Sequence, residues 1–180
     1  MPRLFVSIAL PEHIQDDLVQ LFGDVPGARW VDPEQLHLTL RFIGEVDGLV
    51  GHDVREALDR VHAEPFPLRL EGVGHFPPRG RAHTLWAGLA PSQPLMTLRQ
   101  RVESVLRRLE IDPDRRKYAP HVTLARLKSS PRDAVGHFLT TNAMFRTEEF
   151  LVEDFRLFSS QLTPKRAIHT LEGEYPLEAS

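Results

Sequence analysis

Two tetrapeptides, His37-Leu38-Thr39-Leu40 and His121-Val122-Thr123-Leu124, constrain this chain more than any other feature of its 180 residues. Both read His, aliphatic, Thr, Leu, and they begin 84 residues apart. On a strand, side chains two apart share a face while neighbours point to opposite faces. Each tetrapeptide, read as a strand, therefore presents His and Thr together and anchors its aliphatic residues in a core. A fold that brings the two strands face to face gathers two imidazoles and two hydroxyls in one cleft.

The surroundings of the motifs repeat as well. Residues 4–10 form an apolar run that predicts a buried strand, and Pro11 opens a helix to about residue 22 with Ile14, Leu18, Leu21 and Phe22 on one face. Residues 23–33, rich in Gly, Pro and Asp, read as a loop carrying Trp30 into the first motif strand at 35–43, with Gly44 at its exit. In the second half an extended run at 82–89, a helix at about 92–109 and a loop at 111–120 lead into the second motif in the same order. That helix has Leu95, Leu98, Val102, Val105 and Leu106 at helical spacing, and Arg99, Arg101, Arg107 and Arg108 elsewhere. Leu4 precedes His37 by 33 residues and Leu85 precedes His121 by 36. Two copies at this period do not make a solenoid. A duplicated strand-helix-strand lobe, paired about a pseudo-two-fold axis, accounts for them and sets the motifs opposite each other.

Elsewhere the pattern predicts an amphipathic helix at about 49–62, a hairpin of 66–76 with 82–89, a short helix around 132–139, and extended runs at 150–160 and 165–177. The expected fold class is α+β: two pseudo-symmetric, interwoven lobes of largely antiparallel strands with outer helices and the active-site cleft between them. A chain of 180 residues suits a single domain.

Composition removes several classes of function. With no cysteine there is neither a disulfide framework nor a thiolate metal site, which fits a reducing cytoplasm, the expected location. The N-terminal apolar run is strand-sized, without a secretory cleavage pattern, and nothing approaches the roughly 20 apolar residues of a membrane span. A net charge of −3 and a pI near 6.3 argue against broad binding to polyanions, so a nucleic-acid site must be local. The basic residues Arg115, Arg116 and Lys117 read as a solvated face. No H-E-x-x-H pair or Walker-type loop is present. His13, His52, His62, His75, His83, His137 and His169 lack the partner pattern and read as surface or structural residues.

The paired motifs, with Trp30-Val31 and Leu36 before the first and Phe42-Ile43-Gly44 after it, resemble the 2H phosphoesterase superfamily. More narrowly the chain is similar to its RNA 2′,3′-cyclic phosphodiesterase branch, also called 2′-5′ RNA ligases. The similarity runs through Arg3-Leu4-Phe5-Val6, Leu85-Trp86-Ala87-Gly88, Pro120 to Arg126 around the second motif, and Leu157-Phe158-Ser159-Ser160-Gln161-Leu162. A lone H-x-T-x arises often by chance; two copies in this order are specific.

The resemblance implies hydrolysis of a cyclic phosphate end to a 2′-phosphomonoester, with ATP-independent, reversible 2′-5′ RNA ligation as an accompanying activity. In-line opening needs one group to take a proton from water and another, across phosphorus, to give one to the leaving ribose oxygen. Histidine serves both purposes because its unperturbed pKa is about 6.5. His37 is assigned as general acid and His121 as general base, with exchange of the two roles left open. Thr39 and Thr123 are expected to bind the non-bridging phosphate oxygens, and no cofactor or metal is required. Arg126 matches a basic residue that the family often carries after the second motif, yet strict alternation puts it on the Val122 and Leu124 face unless a bulge turns it. Arg41 has the parity of His37 and Thr39, and Phe42 offers a ring for base stacking although its parity favours the core; both are candidates for substrate binding. The expected partner is RNA with 2′,3′-cyclic phosphate ends, tRNA fragments among them, acted on by a monomer without a membrane. Two other readings stand beside this one: a phosphodiesterase of small cyclic nucleotides or 2′-5′ oligonucleotides, and a non-catalytic RNA- or nucleotide-binding module.

Overall fold

A computed structural model describes residues 3–179. The first half runs β1 (Arg3–Ala9), α1 (Glu12–Val19), β2 (Ala28–Trp30), a 3-10 turn (Pro33–Gln35), β3 (His37–Glu45), α2 (Gly48–Leu58), β4 (Phe66–Leu68) and β5 (Leu70–Phe76). The second half runs β6 (Thr84–Leu89), α3 (Gln93–Arg107), β7 (Val122–Leu127), α4 (Arg132–Thr141), β8 (Phe150–Val152), β9 (Asp154–Leu162) and β10 (Ala167–Pro176). Local chemistry sets the helix starts. The Asp47 side chain accepts from the Val50 amide at 2.9 Å, and the Ser92 hydroxyl accepts from the Leu95 amide at 3.2 Å. Each satisfies one of the amides that a helix N-terminus leaves unpaired.

Two four-stranded sheets carry the fold, ordered β10-β9-β1-β3 and β2-β7-β6-β5, and every pairing is antiparallel. The halves exchange strands. β5 of the first half pairs with β6 of the second, whereas β9 of the second half pairs with β1 of the first. The equivalent short strands β4 and β8 pair with each other, Phe66 opposite Val152 and Leu68 opposite Phe150, as elements related by a pseudo-dyad do. The lobes are therefore not the two sequence halves, and neither lobe assembles its sheet from one half alone. One contiguous apolar cluster joins β1, β3, β6 and β7 to the buried faces of all four helices.

The α+β class and the duplication match expectation, and three local features differ. The 23–33 segment contains β2, a three-residue edge strand on β7 that is too short to show an alternating pattern. The runs at 66–76 and 150–160 each split in two, because β4 and β8 leave the large sheets to pair with each other. α1 ends at Val19, and Leu21 and Phe22 follow in a turn, where Phe22 stacks on Trp30 at 4.7 Å.

Candidate active site

The motif strands β3 and β7 lie close together, one from each sheet. Each carries a β-bulge at the same place. Along β3, Thr39 lies opposite Ser7 and Arg41 opposite Val6, which leaves Leu40 as the extra residue. Along β7, Thr123 lies opposite Trp86 and Ala125 opposite Leu85, which leaves Leu124 as the extra residue. The leucine that ends each motif is thus the unpaired residue, and an extra residue inverts the alternation beyond it.

That inversion decides the flanking positions. Leu40 and Arg41 are buried in succession, at 1% and 5% exposure, and Phe42 emerges at 58%. Leu124 and Ala125 are both fully buried and Arg126 emerges. Arg126 therefore shares the face of His121 and Thr123 despite the parity count, because of a bulge. Arg41 and Phe42 are reversed from expectation: Arg41 leaves the cleft for the core, and Phe42 stands on the cleft face. Arg41 does not line the cleft as a substrate-binding candidate must. Its guanidinium is taken up by Glu103 of α3 and by the carbonyls of Phe42 and Asp112.

This buried arginine ties the two motifs together. Glu103 also faces Arg99 at 3.7 Å, and the Arg99 guanidinium stacks 4.5 Å over the Tyr118 ring. The Tyr118 hydroxyl donates to the Thr39 carbonyl at 2.8 Å. The segment 111–120 before His121 is thereby fastened to β3 at Asp112 and at Tyr118. Burial, opposed by the nearby Arg99 charge, pushes the Tyr118 phenol above its ordinary range and keeps it a neutral donor.

The two histidines have the same local design. His37 Nδ1 lies 2.6 Å from the Gln35 carbonyl, and His121 Nδ1 lies 2.7 Å from the Ala119 carbonyl. A carbonyl only accepts, so each Nδ1 carries a proton and each Nε2 is left for the cleft chemistry. His37 Nε2 sits 3.1 Å from the Thr39 hydroxyl, which donates to it while the ring is neutral. Burial pushes His37 below the ordinary imidazole range. The Gln35 carbonyl opposes this, while positive charge on His169 or His121 reinforces it. The two motif histidines are thus close enough for one to bias the other's charge.

Aromatic rings hold both imidazoles. Phe5 stacks on His37 at 5.1 Å, and Phe76 meets His121 edge-on at 4.9 Å, with Trp86 6.2 Å away. Trp86 can lie there because Gly74 has no side chain: a Cβ would fall 2.2 Å from the indole ring. His169, which belongs to no motif, sits edge-on to His37 at 5.7 Å and edge-on to Phe5 at 5.1 Å. The β9–β10 pairing puts it there, a long-range fact that no local pattern announces. Among the described residues no group of three or more His, Asp or Glu side chains gathers to hold a metal. Two surface grooves, lined by residues such as His62, Phe66, Gln93 and Arg101, hold no motif residue.

Two His-x-Thr strands from pseudo-symmetric, strand-exchanged lobes define a 2H phosphoesterase. The chain belongs to the LigT like phosphoesterase family, whose profile matches it in two segments, residues 8–86 and 89–169, each containing one motif. Among curated relatives it is 32% identical to the RNA 2′,3′-cyclic phosphodiesterase of Archaeoglobus fulgidus over 93% of this chain and 96% of that protein. It is 35% identical to the protein of that name from Thermus thermophilus, over 97% of this chain and 90% of the relative. Among solved structures, TT0787 of Thermus thermophilus superposes with a TM-score of 0.83 at 29% identity, covering 97% of both chains. E. coli LigT complexed with 3′-AMP gives a TM-score of 0.79 at 25% identity, covering 98% of this chain and 99% of that one.

Proposed function

We propose that this protein is an RNA 2′,3′-cyclic phosphodiesterase that opens the cyclic phosphate to a 2′-phosphomonoester. The observation that carries the reading is the matched pair of histidines on adjacent motif strands, both with Nδ1 held by a carbonyl and each with a threonine on its face. The relatives' name and the 3′-AMP complex of a structural neighbour favour an RNA-derived substrate. The site draws one motif from each half of the sequence, so the whole chain acts as one catalytic domain.

In this scheme His121 Nε2 takes a proton from water as the water oxygen bonds to phosphorus. His37 Nε2 gives a proton to the ribose 3′ oxygen as its bond to phosphorus breaks. The Thr39 and Thr123 hydroxyls and the Arg126 guanidinium receive the non-bridging oxygens, and Phe42 offers its exposed ring to a base. The burial that lowers the His37 pKa makes it a stronger acid, and the bound phosphate anion supplies the opposite charge that keeps it protonated. The same shift favours a second reading with the roles exchanged, since it leaves His37 neutral in the free enzyme at neutral pH. With a 5′-hydroxyl in place of water as the attacking group, the same ring opening, in which the 3′ oxygen again leaves, joins that hydroxyl to the cyclic end through a 2′-5′ bond without ATP. A monomer acting in the cytoplasm on the cyclic ends of RNA fragments, tRNA fragments among them, completes the proposal; among the described residues no helix is long and apolar enough to cross a membrane.

Phosphorus NMR of the product from a cyclic-phosphate-ended oligonucleotide tests the reaction: a 2′-phosphomonoester is expected, formed equally in the presence of a chelator. A 3′-phosphomonoester, or tight binding without turnover, would overturn it. An aryl phosphodiester with a 4-nitrophenolate leaving group tests the roles, because a good leaving group needs no acid. The defect of His37→Ala should shrink on that substrate and that of His121→Ala should persist; the opposite pattern exchanges the assignments.

A further inference from the structure

The edge strand β2 places Arg29 directly opposite Arg126 in the antiparallel ladder with β7. Directly opposed residues lie on the same face with Cβ atoms about 4.5–5.5 Å apart, and like charges there repel. Both arginines are exposed, and among the described residues neither forms an ion pair. The Arg29 guanidinium donates to the Lys165 carbonyl at the tip of the β9–β10 hairpin, which orients it without neutralising it. Asp32, the nearby acid, is bound to Arg166 at 3.2 Å. Two arginines without an ion-pair partner among the described residues therefore stand opposite each other in the ladder, on a chain whose net charge is −3. The bulge at Leu124 keeps both on the face of His121 and Thr123, with Arg29 one strand, about 4.8 Å, beyond the β7 strand that follows His121. A bridging anion removes the repulsion that this juxtaposition otherwise costs.

We propose that Arg29, with Arg126, forms a second phosphate subsite that receives the phosphodiester next to the cyclic end of an RNA strand. The inference rests on the phosphodiesterase reading and sharpens its substrate class, from any 2′,3′-cyclic nucleotide to the end of an oligonucleotide. Arg126 reaches the cyclic phosphate on one side and the neighbouring diester on the other. Arg29 serves the neighbouring diester, whose single negative charge a mononucleotide lacks.

The test compares kcat/KM on a 2′,3′-cyclic mononucleotide and on a trinucleotide ending in the same cyclic nucleotide, for the intact protein and for Arg29→Gln and Arg29→Lys. The intact protein should prefer the trinucleotide. Arg29→Gln should lower the trinucleotide-to-mononucleotide ratio by about tenfold, the loss typical of one hydrogen bond to a charged group. It should also flatten the slope of log(kcat/KM) against log salt on the trinucleotide by about 0.7, the increment for one single-strand phosphate contact. Arg29→Lys should restore the slope. An unchanged ratio in Arg29→Gln, or no trinucleotide preference in the intact protein, would overturn the subsite while leaving the phosphodiesterase reading in place. If the intact protein turned over neither substrate, both would fall.

Discussion

Replacing Arg41 with methionine removes the cation that joins β3 to α3 and to the segment before His121. Its guanidinium is 5% exposed and its partner Glu103 is 13% exposed. Removing one partner of a buried pair costs about 3–5 kcal/mol, because the remaining charge is left uncompensated. Glu103 keeps Arg99 at 3.7 Å, which places the electrostatic loss at the lower end. The Phe42 and Asp112 carbonyls each lose a donor, at about 1 kcal/mol apiece before any relaxation. Together these come to about 5 kcal/mol for Arg41→Met, a fall in melting temperature of roughly 15 °C for a chain of this size. Urea unfolding of Arg41→Met, Glu103→Leu and the double variant measures it. The double variant should be more stable than the sum of the single losses predicts, by about 2 kcal/mol, since it buries no lone charge. A loss below about 1 kcal/mol in Arg41→Met, typical of a solvent-exposed ion pair, would refute the reasoning.

Phe42→Ala should leave stability within about 0.5 kcal/mol, as for other exposed positions, while raising KM for a cyclic-ended oligonucleotide at least about fivefold, since stacking on one base is worth about 1–3 kcal/mol. Equal KM values would remove Phe42 from the binding face. Gly74→Ala forces the Trp86 indole away from β5, so tryptophan fluorescence should shift and stability fall by about 1–3 kcal/mol; an unshifted spectrum would refute the close approach. Burial lowers the pKa of His37 and of His169, so between each lowered value and about 6.5 the unfolded chain binds protons that the folded chain refuses. Unfolding free energy should therefore decline as pH falls from 7.5 to 5.5, and His169→Phe should flatten that decline; the same slope in both proteins would exclude His169 as a contributor.

Parity within each motif was readable because it is local: His37 with Thr39, and His121 with Thr123, depend on strand geometry alone. The alternation failed after Leu40 and Leu124 because a bulge is a mismatch in residue count against a neighbouring strand, and that neighbour is remote in sequence. One unreadable residue per strand accounts for the burial of Arg41, the exposure of Phe42 and the arrival of Arg126 on the cleft face. Arg29 was hidden because its strand is three residues long and defined by a partner almost a hundred positions away. His169 lacked any motif and reaches His37 through the register of β10 on β9. The duplication could be seen in element order, whereas the exchange of β5 and β9 between lobes follows from which edges remain open once β1, β3, β6 and β7 have paired.

Acting on one phosphate from opposite sides is the role proposed for His37 and His121. Its most direct test is the turnover of a 2′,3′-cyclic-phosphate-ended oligonucleotide by His37→Ala and by His121→Ala, each verified as folded by its unfolding transition. Each variant should lose at least about 10²-fold in kcat, the lower bound for removing a general acid or base. A rate near that of the intact protein in either variant would contradict the account.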